Sequence, residues 1–365
     1  MNMNEQKNIQ NSIKSYIRYV LGLFSHDIGI DLGTANTLVY VKDRGIVINE
    51  PSIVAVNQKT GQVVAVGKQA KEMLGRTPTH IQAVQPLVDG VISDFEITEE
   101  MLSYLLNKAQ AGKRKLLGPR VVIGVPSGIT SVEARAVRDA ARNAGAREVH
   151  VIEEPMAAAV GINLPVNTAS GSMIIDIGGG TTDIGVIALG GIVNSRNVRI
   201  AGDRFNADVV SYIRNEFKIL IGDKSAEDIK LAVGAVVAGG QPLRASVCGR
   251  DLVTGLPREI TVTDKDLRHA IAHSVEELVE AAKEVMETTP PEVLSDVLRR
   301  GVYLAGGGAL IRGLPELLSE TLHVPVKVAH DPLTAVVRGT GIILDDLESY
   351  REALLTSDDE LAPTQ

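Results

Sequence analysis

The chain contains two stretches that follow the same plan, and this repetition constrains the fold more than any other feature. The first reads Ile28-Gly-Ile-Asp31-Leu-Gly33-Thr34-Ala-Asn-Thr37-Leu-Val-Tyr-Val, and the second reads Met173-Ile-Ile-Asp176-Ile-Gly178-Gly-Gly180-Thr181-Thr-Asp183. In both, an apolar run leads to an aspartate, an apolar residue and a glycine, then to small or hydroxyl residues and a second run. Each stretch therefore predicts a β-hairpin whose tip is rich in glycine and carries one fixed carboxylate.

The chemistry of these tips points to phosphate. Glycine lets backbone N–H groups approach an anion closely, so such a tip can cradle a phosphate. The carboxylate would repel phosphate, but it is well placed to hold a divalent cation, usually through the cation's water molecules. One such hairpin is a weak signal, because glycine and aspartate are common in turns. Two copies in matching context predict a clamp that holds a triphosphate and its metal from opposite sides.

Length and composition indicate the class of protein. Predicted strands and helices alternate along 365 residues, and the motif recurs where a second half begins, so we expect two related α/β domains facing each other across a cleft. The net charge of −8 argues against nucleic acid as a main partner. The single cysteine, Cys248, excludes an internal disulfide and fits a reducing cytoplasm. No apolar run approaches the roughly 20 residues that a membrane-spanning helix needs.

Residues 1–26 differ from the rest of the chain. Apolar residues recur at helical spacing from Ile9 to Phe24, and three basic residues against one acidic residue give residues 1–25 a net charge of +2. A basic amphipathic helix on an acidic body predicts attachment to an anionic membrane surface. The alternative is a helix that packs on its own core or on a neighbouring subunit. A signal peptide is disfavoured, because Arg18 interrupts the apolar run and no small-residue cleavage site precedes Asp27.

Glu154 stands out in the segment Glu153-Glu154-Pro155-Met-Ala-Ala-Ala-Val160-Gly161, which follows a predicted strand. Pro155 suits the first turn of a helix, so Glu154 could simply complement the helix dipole, an effect worth roughly 0.3–1 kcal/mol. Alternatively, its carboxylate could orient or deprotonate a water molecule that attacks a terminal phosphate. The alanines at 157–159 make this helix slim, which suits close packing against a second helix at a hinge between the domains.

Two later segments could hold a nucleoside. Gly306-Gly-Gly308 follows a predicted strand and would let a flat base lie against backbone, although a strand-to-helix turn needs glycine anyway. Glu227 and Lys230 are neighbours on a predicted helix and could reach ribose hydroxyls and the base. The competing explanation of these two residues is an exposed ion pair between positions i and i+3.

Capping boxes mark the starts of two helices. Thr130-x-x-Glu133 predicts a helix with Val132 and Val137 turned inward, and Thr263-x-x-Asp266 predicts a long helix that runs through Met286.

With these residues assembled, the chain resembles the actin, Hsp70 and sugar-kinase superfamily and, within it, the MreB family of bacterial actin-like rod-shape proteins. The resemblance covers about residues 27–346. It rests on the two hairpins and on four further stretches: Gly45-Ile-Val-Ile-Asn-Glu-Pro-Ser, Val121-Val-Ile-Gly-Val-Pro, Glu153-Glu-Pro-Met-Ala-Ala-Ala and Ala305-Gly-Gly-Gly-Ala-Leu. It implies an actin-like fold whose two domains carry small inserted subdomains around a cleft for ATP (or GTP) and Mg²⁺.

The resemblance also implies roles for individual residues. The phosphate loops would be Gly33, Thr34, Ala35 and Asn36 on one side and Gly178, Gly179 and Gly180 on the other, with Asp31 and Asp176 holding Mg²⁺ through water. Glu154 and Thr181 would position the attacking water. The nucleoside pocket would consist of Glu227, Asp228, Ile229 and Lys230 together with Gly306, Gly307, Gly308 and Ala309.

This sequence departs from the family pattern at two places. Position 183 is Asp where the family often has Glu, and Ile221-Gly-Asp-Lys-Ser-Ala-Glu227 varies the usual Gly-Glu-Arg-Thr-Ala-Glu. Neither departure removes an expected ligand.

The resemblance implies a division of the chain into six parts. Residues 1–26 would form the membrane helix, and residues 357–365 would form a disordered acidic tail. Subdomain IA would comprise residues 27–53, 94–165 and 338–356, and subdomain IB residues 54–93. Subdomain IIA would comprise residues 166–202 and 281–337, and subdomain IIB residues 203–280.

Three classes of protein share such a cleft, and a filament-forming cytoskeletal ATPase is the interpretation favoured here. The family relationship implies double antiparallel protofilaments on the inner face of the cytoplasmic membrane, coupled through membrane proteins to the cell-wall elongation machinery. An Hsp70-type chaperone would need a large substrate-binding domain, for which no sequence remains after Asp346. A small-molecule kinase would need an acceptor pocket with its own general base, and no carboxylate in the sequence suggests one.

Overall fold

The computed structural model describes residues 27–74, 78–110, 118–239 and 241–355. The predicted membrane helix and the predicted acidic tail therefore lie outside the described residues. Within the described part of the chain, no helix has both the length and the apolar character needed to cross a membrane.

Two five-stranded sheets with the same arrangement form the two halves of the molecule. The first contains β1 (Asp27–Leu32), β2 (Asn36–Val41), β3 (Gly45–Pro51), β9 (Arg120–Val125) and β10 (Glu148–Glu153) in the order β10-β9-β1-β2-β3. The second contains β11 (Ser172–Ile177), β12 (Thr182–Ala188), β13 (Gly191–Val198), β17 (Val302–Ala305) and β18 (Val326–Val328) in the order β18-β17-β11-β12-β13. In each sheet, the first three strands in sequence form an antiparallel meander: β1-β2-β3 in the first half and β11-β12-β13 in the second. On the other edge of β1 and of β11, two further strands are added in parallel: β9 and β10 in the first half and β17 and β18 in the second. The prediction of two related α/β domains is confirmed.

Three smaller sheets occupy the connections. The segment after β3 forms β4 (Val54–Asn57), β5 (Val63–Val66), β6 (Ile81–Val84), β7 (Leu87–Val88) and β8 (Val91–Ile92). These strands pair as a β5-β4-β6 sheet and a β7-β8 hairpin. In the second half, β14 (Ile219–Leu220), β15 (Arg244–Asp251) and β16 (Pro257–Thr263) form an antiparallel sheet.

The helices pack on these sheets. Those described in the first half are α1 (Lys68–Met73), α2 (Phe95–Ala109), α3 (Ser131–Asn143) and α4 (Glu154–Gly161). The remaining described helices are α5 (Gly202–Phe217), α6 (Asp223–Val233), α7 (Asp264–Glu287), α8 (Pro291–Arg300), α9 (Leu314–Leu322) and α10 (Ala335–Asp345). Short 3₁₀ helices lie at Gly307–Leu310, Pro332–Thr334 and Arg351–Ala353.

Each half has its own apolar core, and a third core joins them. The third core contains the buried alanines of α4, which pack against Ala335, Val336 and Ile343 of α10. The two helices meet backbone to backbone, because a Cβ on Gly161 would overlap the carbonyl oxygen of Ala335 and stand 2.8 Å from the nitrogen of Gly339. The slim helix predicted from the run of alanines therefore packs closely against a second helix, as expected.

Both predicted capping boxes are present. The Thr130 hydroxyl accepts a hydrogen bond from the nitrogen of Glu133, and Thr263 does the same for Asp266 at the start of the 24-residue α7. The prediction that Val132 turns inward is wrong, since its side chain is 75% exposed while that of Val137 is buried. Position 132 lies on the side of α3 opposite the buried stripe that contains Ala134, Val137 and Ala141.

Candidate functional site

The two glycine tips lie at the same edge of their sheets as the other functional segments. Strands β9 and β10 run parallel to β1, so the turns that follow them stand beside the β1–β2 tip. Likewise, β17 runs parallel to β11, so the glycines after β17 stand beside the β11–β12 tip. Ligands of open α/β sheets bind at this carboxyl edge.

Neighbouring segments fix both tips in place. In the first tip, the Ser52 hydroxyl donates to the Gly33 carbonyl at 2.6 Å, and the Ser52 nitrogen donates to the Ala35 carbonyl at 3.0 Å. In the second tip, the carbonyl of Gly179 accepts a hydrogen bond from the nitrogen of Asp203, in the first turn of α5, at 2.8 Å. Each tip is thus a rigid loop supported by a different part of its own half.

The tips touch each other across the cleft. A Cβ on Gly179 would stand 2.5 Å from the Cβ of Ala35, and one on Gly180 would stand 2.7 Å from the hydroxyl oxygen of Thr34. Both distances are shorter than van der Waals contact. The close approach of the opposite tip therefore requires glycine at these two positions, independently of any need for backbone N–H groups to approach a phosphate.

The tips border a cavity of about 480 Å³ between the two halves. Most of the predicted site residues line it, namely Asp31, Gly33, Thr34, Ala35, Asn36, Glu154, Asp176, Gly178, Gly179, Gly180, Thr181, Glu227, Lys230, Gly306, Gly307 and Gly308. Three predicted residues do not line it. Asp228 is exposed on the outer face of α6, whereas Ile229 and Ala309 are buried in the core of the second half.

Three carboxylates of the cavity wall, those of Asp31, Glu154 and Asp176, interact with one another and with the buried carboxylate of Asp183. Burial raises the pKa of Asp31 to about 7, and burial together with the charges of Asp31 and Asp183 raises the pKa of Asp176 well above its usual range. The pKa of Glu154 is raised well above its usual range by burial and then by Asp183, Asp31 and Asp176. Such a cluster fits a divalent cation, whose charge would offset the repulsion. In the described part of the chain, no group of three or more His, Cys, Asp or Glu side chains is placed to ligate a metal directly.

Asp183 connects the two halves next to these carboxylates. Its buried carboxylate accepts hydrogen bonds from both the Ser127 nitrogen at 2.6 Å and the Asn197 amide at 3.0 Å. Burial raises the pKa of Asp183 to about 6, although bonds from Asn197, Ser127 and the Thr181 side chain act in the opposite direction. Ser127 belongs to the first half, so a buried hydrogen bond crosses from one half to the other directly behind the tips.

Glu227 and Lys230 do not pair with each other; each has a different partner. The Lys230 ammonium donates to the Gly202 carbonyl at 2.9 Å. Burial lowers the pKa of Lys230, and the negative charges of Glu227 and Asp203 offset only part of this effect. Glu227 instead forms a 3.5 Å ion pair with Lys71 of α1, on the opposite side of the cleft. The two side chains therefore do not form the i, i+3 ion pair that was the competing explanation.

Sequence reasoning missed part of the cavity wall. The additional lining residues include Gly90, Gly202, Asp203, Asn206, Leu231, Gly234, Leu310, Ile311, Arg312, Pro332, Leu333 and Val336. Asp203 and Asn206 follow Gly202 on the cavity face of α5, and the spacing i, i+1, i+4 on a predicted helix was the available signal. The others have no motif of their own and are brought to the cavity by tertiary packing.

Comparison with known proteins identifies the family. The family model described as MreB/Mbl protein matches residues 25–352. The chain is 49% identical to the cell shape-determining protein Mbl of Bacillus subtilis over 334 residues, which are 92% of this chain and all of the relative. It is 48% identical to the cell shape-determining protein MreB of Escherichia coli over 333 residues, 90% of this chain and 96% of the relative.

The chain belongs to the MreB/Mbl family.

Solved structures in and near the MreB/Mbl family share this architecture. MreB5 of Spiroplasma citri bound to ADP superposes with a TM-score of 0.85 at 38% identity, covering 90% of this chain and 98% of that one. The same protein bound to AMPPNP gives a TM-score of 0.84. A MamK double helical filament gives 0.76 at 25% identity, covering 88% of this chain and 99% of that one. The predicted actin-like fold is confirmed, and the family is one of cell shape-determining proteins.

Proposed function

We propose that this chain is a cytoskeletal ATPase that binds ATP and Mg²⁺ in the cavity and hydrolyses the terminal phosphate as part of filament assembly. The observation that carries the proposal is the convergence of two glycine tips and the carboxylates of Asp31, Glu154 and Asp176 on one cavity. Support comes from the MreB5 structures, which hold ADP and AMPPNP.

The tips would hold the triphosphate. Backbone N–H groups of Gly33–Asn36 and of Gly179 and Gly180 would face its oxygens from opposite sides, because small residues leave the backbone accessible. Gly178 would shape the second tip, since its own N–H donates to the Thr181 carbonyl at 2.9 Å. Asp31 and Asp176 would hold Mg²⁺ through its water molecules. The ion supplies positive charge against both the phosphates and the carboxylates.

Glu154 and Thr181 would position the attacking water. Glu154 begins α4 and lines the cavity among the other carboxylates, where it can orient the water or accept its proton. The Thr181 hydroxyl donates its hydrogen bond to the carboxylate of Asp183, which is only an acceptor when ionised. The hydroxyl oxygen of Thr181 is then free to accept a hydrogen bond from the water. Asp183 would thus fix the hydroxyl of Thr181 without itself touching the water.

The nucleoside would lie at the outer end of the cavity. Glu227 and Lys230 of α6 form one wall, and Gly306–Gly308 form the other. ATP is the substrate proposed here, with GTP as the alternative.

The remaining features of the proposal follow from family membership. The chain would polymerise into double antiparallel protofilaments, attach through residues 1–26 to the inner face of the cytoplasmic membrane, and direct cell-wall synthesis through membrane proteins of the elongation machinery. The division into subdomains IA, IB, IIA and IIB with the boundaries given above belongs to the same proposal.

The catalytic role of Glu154 is tested by Glu154→Gln and Glu154→Ala. We expect ATP hydrolysis to slow by roughly 10²-fold or more, because a positioned general base contributes about that much, while affinity for a non-hydrolysable ATP analogue stays nearly unchanged. Glu153→Gln is the matched control, since Glu153 accepts a bond from the Gly128 nitrogen and does not line the cavity. A large loss of nucleotide affinity in the Glu154 variants would contradict the assigned role.

Assembly is tested by sedimentation and negative-stain microscopy with ATP and Mg²⁺, with and without anionic liposomes. We expect filaments, and we expect deletion of residues 1–24 to weaken co-sedimentation with liposomes. Unchanged co-sedimentation would assign the N-terminal segment to packing. Absence of filaments under every condition, together with phosphate transfer to a sugar, would replace the cytoskeletal proposal with a small-molecule kinase.

A further inference from the structure

Asn206 on α5 has a buried acceptor without a partner. Its side chain is 9% exposed and lines the cavity, and among the described residues no group donates a hydrogen bond to its Oδ1. Buried amide oxygens in folded proteins are almost always paired, because an unmet acceptor costs the desolvation of that group. An unmet acceptor in a cavity wall therefore points to a donor on the ligand.

The position of Asn206 along the cavity follows from the packing of α5. The first turn of this helix is attached to the second phosphate tip, since the Asp203 nitrogen donates to Gly179 and a Cβ on Gly202 would stand 3.4 Å from the carbonyl oxygen of Gly178. Asn206 follows Gly202 by four residues on the same face, about 6 Å further along the helix axis. It therefore lies one helical turn beyond the phosphate tip.

Helix α6 forms the adjoining part of the cavity wall. Lys230 of that helix bonds to the Gly202 carbonyl, and Glu227 and Leu231 line the cavity next to it. Asn206 thus stands between the tip that would hold phosphate and the helix that would flank the base. In a nucleotide, the sugar occupies the space between phosphate and base, and its hydroxyl groups are the hydrogen-bond donors there.

We propose that Oδ1 of Asn206 accepts a hydrogen bond from a ribose hydroxyl and makes the site prefer nucleotides that carry this hydroxyl over those that lack it. The inference rests on the proposed function, because it presumes that a nucleotide binds in the cavity. It adds a specificity-determining residue that no sequence motif indicated.

The test is calorimetric titration of the full chain with ATP, 2′-deoxyATP and 3′-deoxyATP in Mg²⁺, at protein concentrations below assembly. The wild type should bind ATP about two- to tenfold more tightly than the analogue lacking the contacted hydroxyl, the net effect of one neutral hydrogen bond. Asn206→Ala should weaken ATP binding by the same factor and leave binding of that analogue unchanged. Asn206→Asp, which keeps an acceptor, should retain the preference for ATP over the analogue.

A matched control and a stability measurement separate this role from simple packing. Asn215→Ala changes an exposed residue of the same helix outside the cavity and should leave all three affinities unchanged. The nucleotide-free Asn206→Ala protein should unfold at a temperature no lower than the wild type, because it loses an unpaired acceptor. Equal weakening of all three nucleotides by Asn206→Ala, or equal wild-type affinities for all three, would overturn the inference alone. Failure of the wild type to bind ATP would overturn the proposed function and this inference with it.

Discussion

Replacing Gly339 by alanine tests how the two halves are joined. Gly339 lies in α10 against α4, and a Cβ there would overlap the carbonyl oxygen of Ala157 and stand 2.6 Å from its carbonyl carbon. Carbon atoms in contact lie about 3.5–4.0 Å apart, so the helices would have to separate by roughly 1 Å. The neighbours that resist are backbone atoms, which cannot rotate away.

The net cost can be worked from two opposing effects. Overpacking a close-packed interface costs about 1–3 kcal/mol, and backbone contact on both sides puts Gly339→Ala at the upper end. Replacing glycine by alanine in a helix stabilises the folded state by about 1 kcal/mol, because alanine has the higher helix propensity. We therefore expect a net loss of about 2 kcal/mol, which lowers the thermal unfolding midpoint by roughly 3 °C in a chain of this size.

The same substitution should also impair hydrolysis. Glu154 is the first residue of α4, so a shift of that helix by roughly 1 Å moves the carboxylate away from the tips, and misplacement of this size can cost about 10²-fold in rate. The assays are scanning calorimetry and phosphate release. Gly239→Ala is the control, since a Cβ there would meet nothing within 4 Å. A Gly339→Ala protein with wild-type midpoint and rate would refute the reasoning.

Three further predictions concern charge and capping. Burial raises the pKa of Asp31 to about 7, so its ionisation destabilises the metal-free fold progressively from about pH 4 to pH 7. Asp31→Asn should therefore raise the metal-free unfolding midpoint at pH 8 but not at pH 4, and it should abolish Mg²⁺-ATP binding. The pKa of Asp251 is lowered to about 2 by hydrogen bonds from the backbone of Thr254 and Val253 and from the Arg258 side chain. The stability that Asp251 contributes is therefore present above about pH 4 and lost towards pH 2, so Asp251→Asn should lower the unfolding midpoint at pH 6 but not at pH 2. Thr130→Ala removes the cap of α3 and should cost about 1 kcal/mol in unfolding experiments, whereas Thr130→Ser should cost little.

Local signals predicted the elements that depend only on nearby residues. The apolar runs and the glycine tips located both hairpins, and β1 ends at Leu32, one residue before the tip glycine. Capping boxes located the starts of α3 and α7 because the capping bonds join residues three apart. The prediction for Val132 is wrong because an apolar side chain does not by itself identify the buried side of a helix, and position 132 lies opposite the buried Ala134 and Val137.

The candidate site was predictable to the extent that its residues sit in such local motifs. The bond between Ser127 and Asp183 joins positions 56 residues apart in different halves, and no pattern in either segment announces it. Asn206 and Leu333 reach the cavity only because α5 and the 3₁₀ turn at Pro332–Thr334 pack beside the tips. Asp228 and Ile229 were assigned with their neighbours as a block, although a helix turns successive residues to different faces.

The contacts between the halves differ in strength from one end of the cleft to the other. At the base, α4 and α10 meet backbone to backbone, and the buried Asp183–Ser127 bond lies close by. At the mouth, the ion pair described between the halves is Lys71–Glu227, whose side chains are 41% and 39% exposed. The other described ion pair between the halves, Arg199–Asp89, is at least as exposed. Exposed pairs of this kind contribute about 0–1 kcal/mol each and are screened by salt. The base can therefore hold the halves together while the mouth cannot fix the angle between them, so the free energy that sets this angle has to come from whatever binds between the two tips.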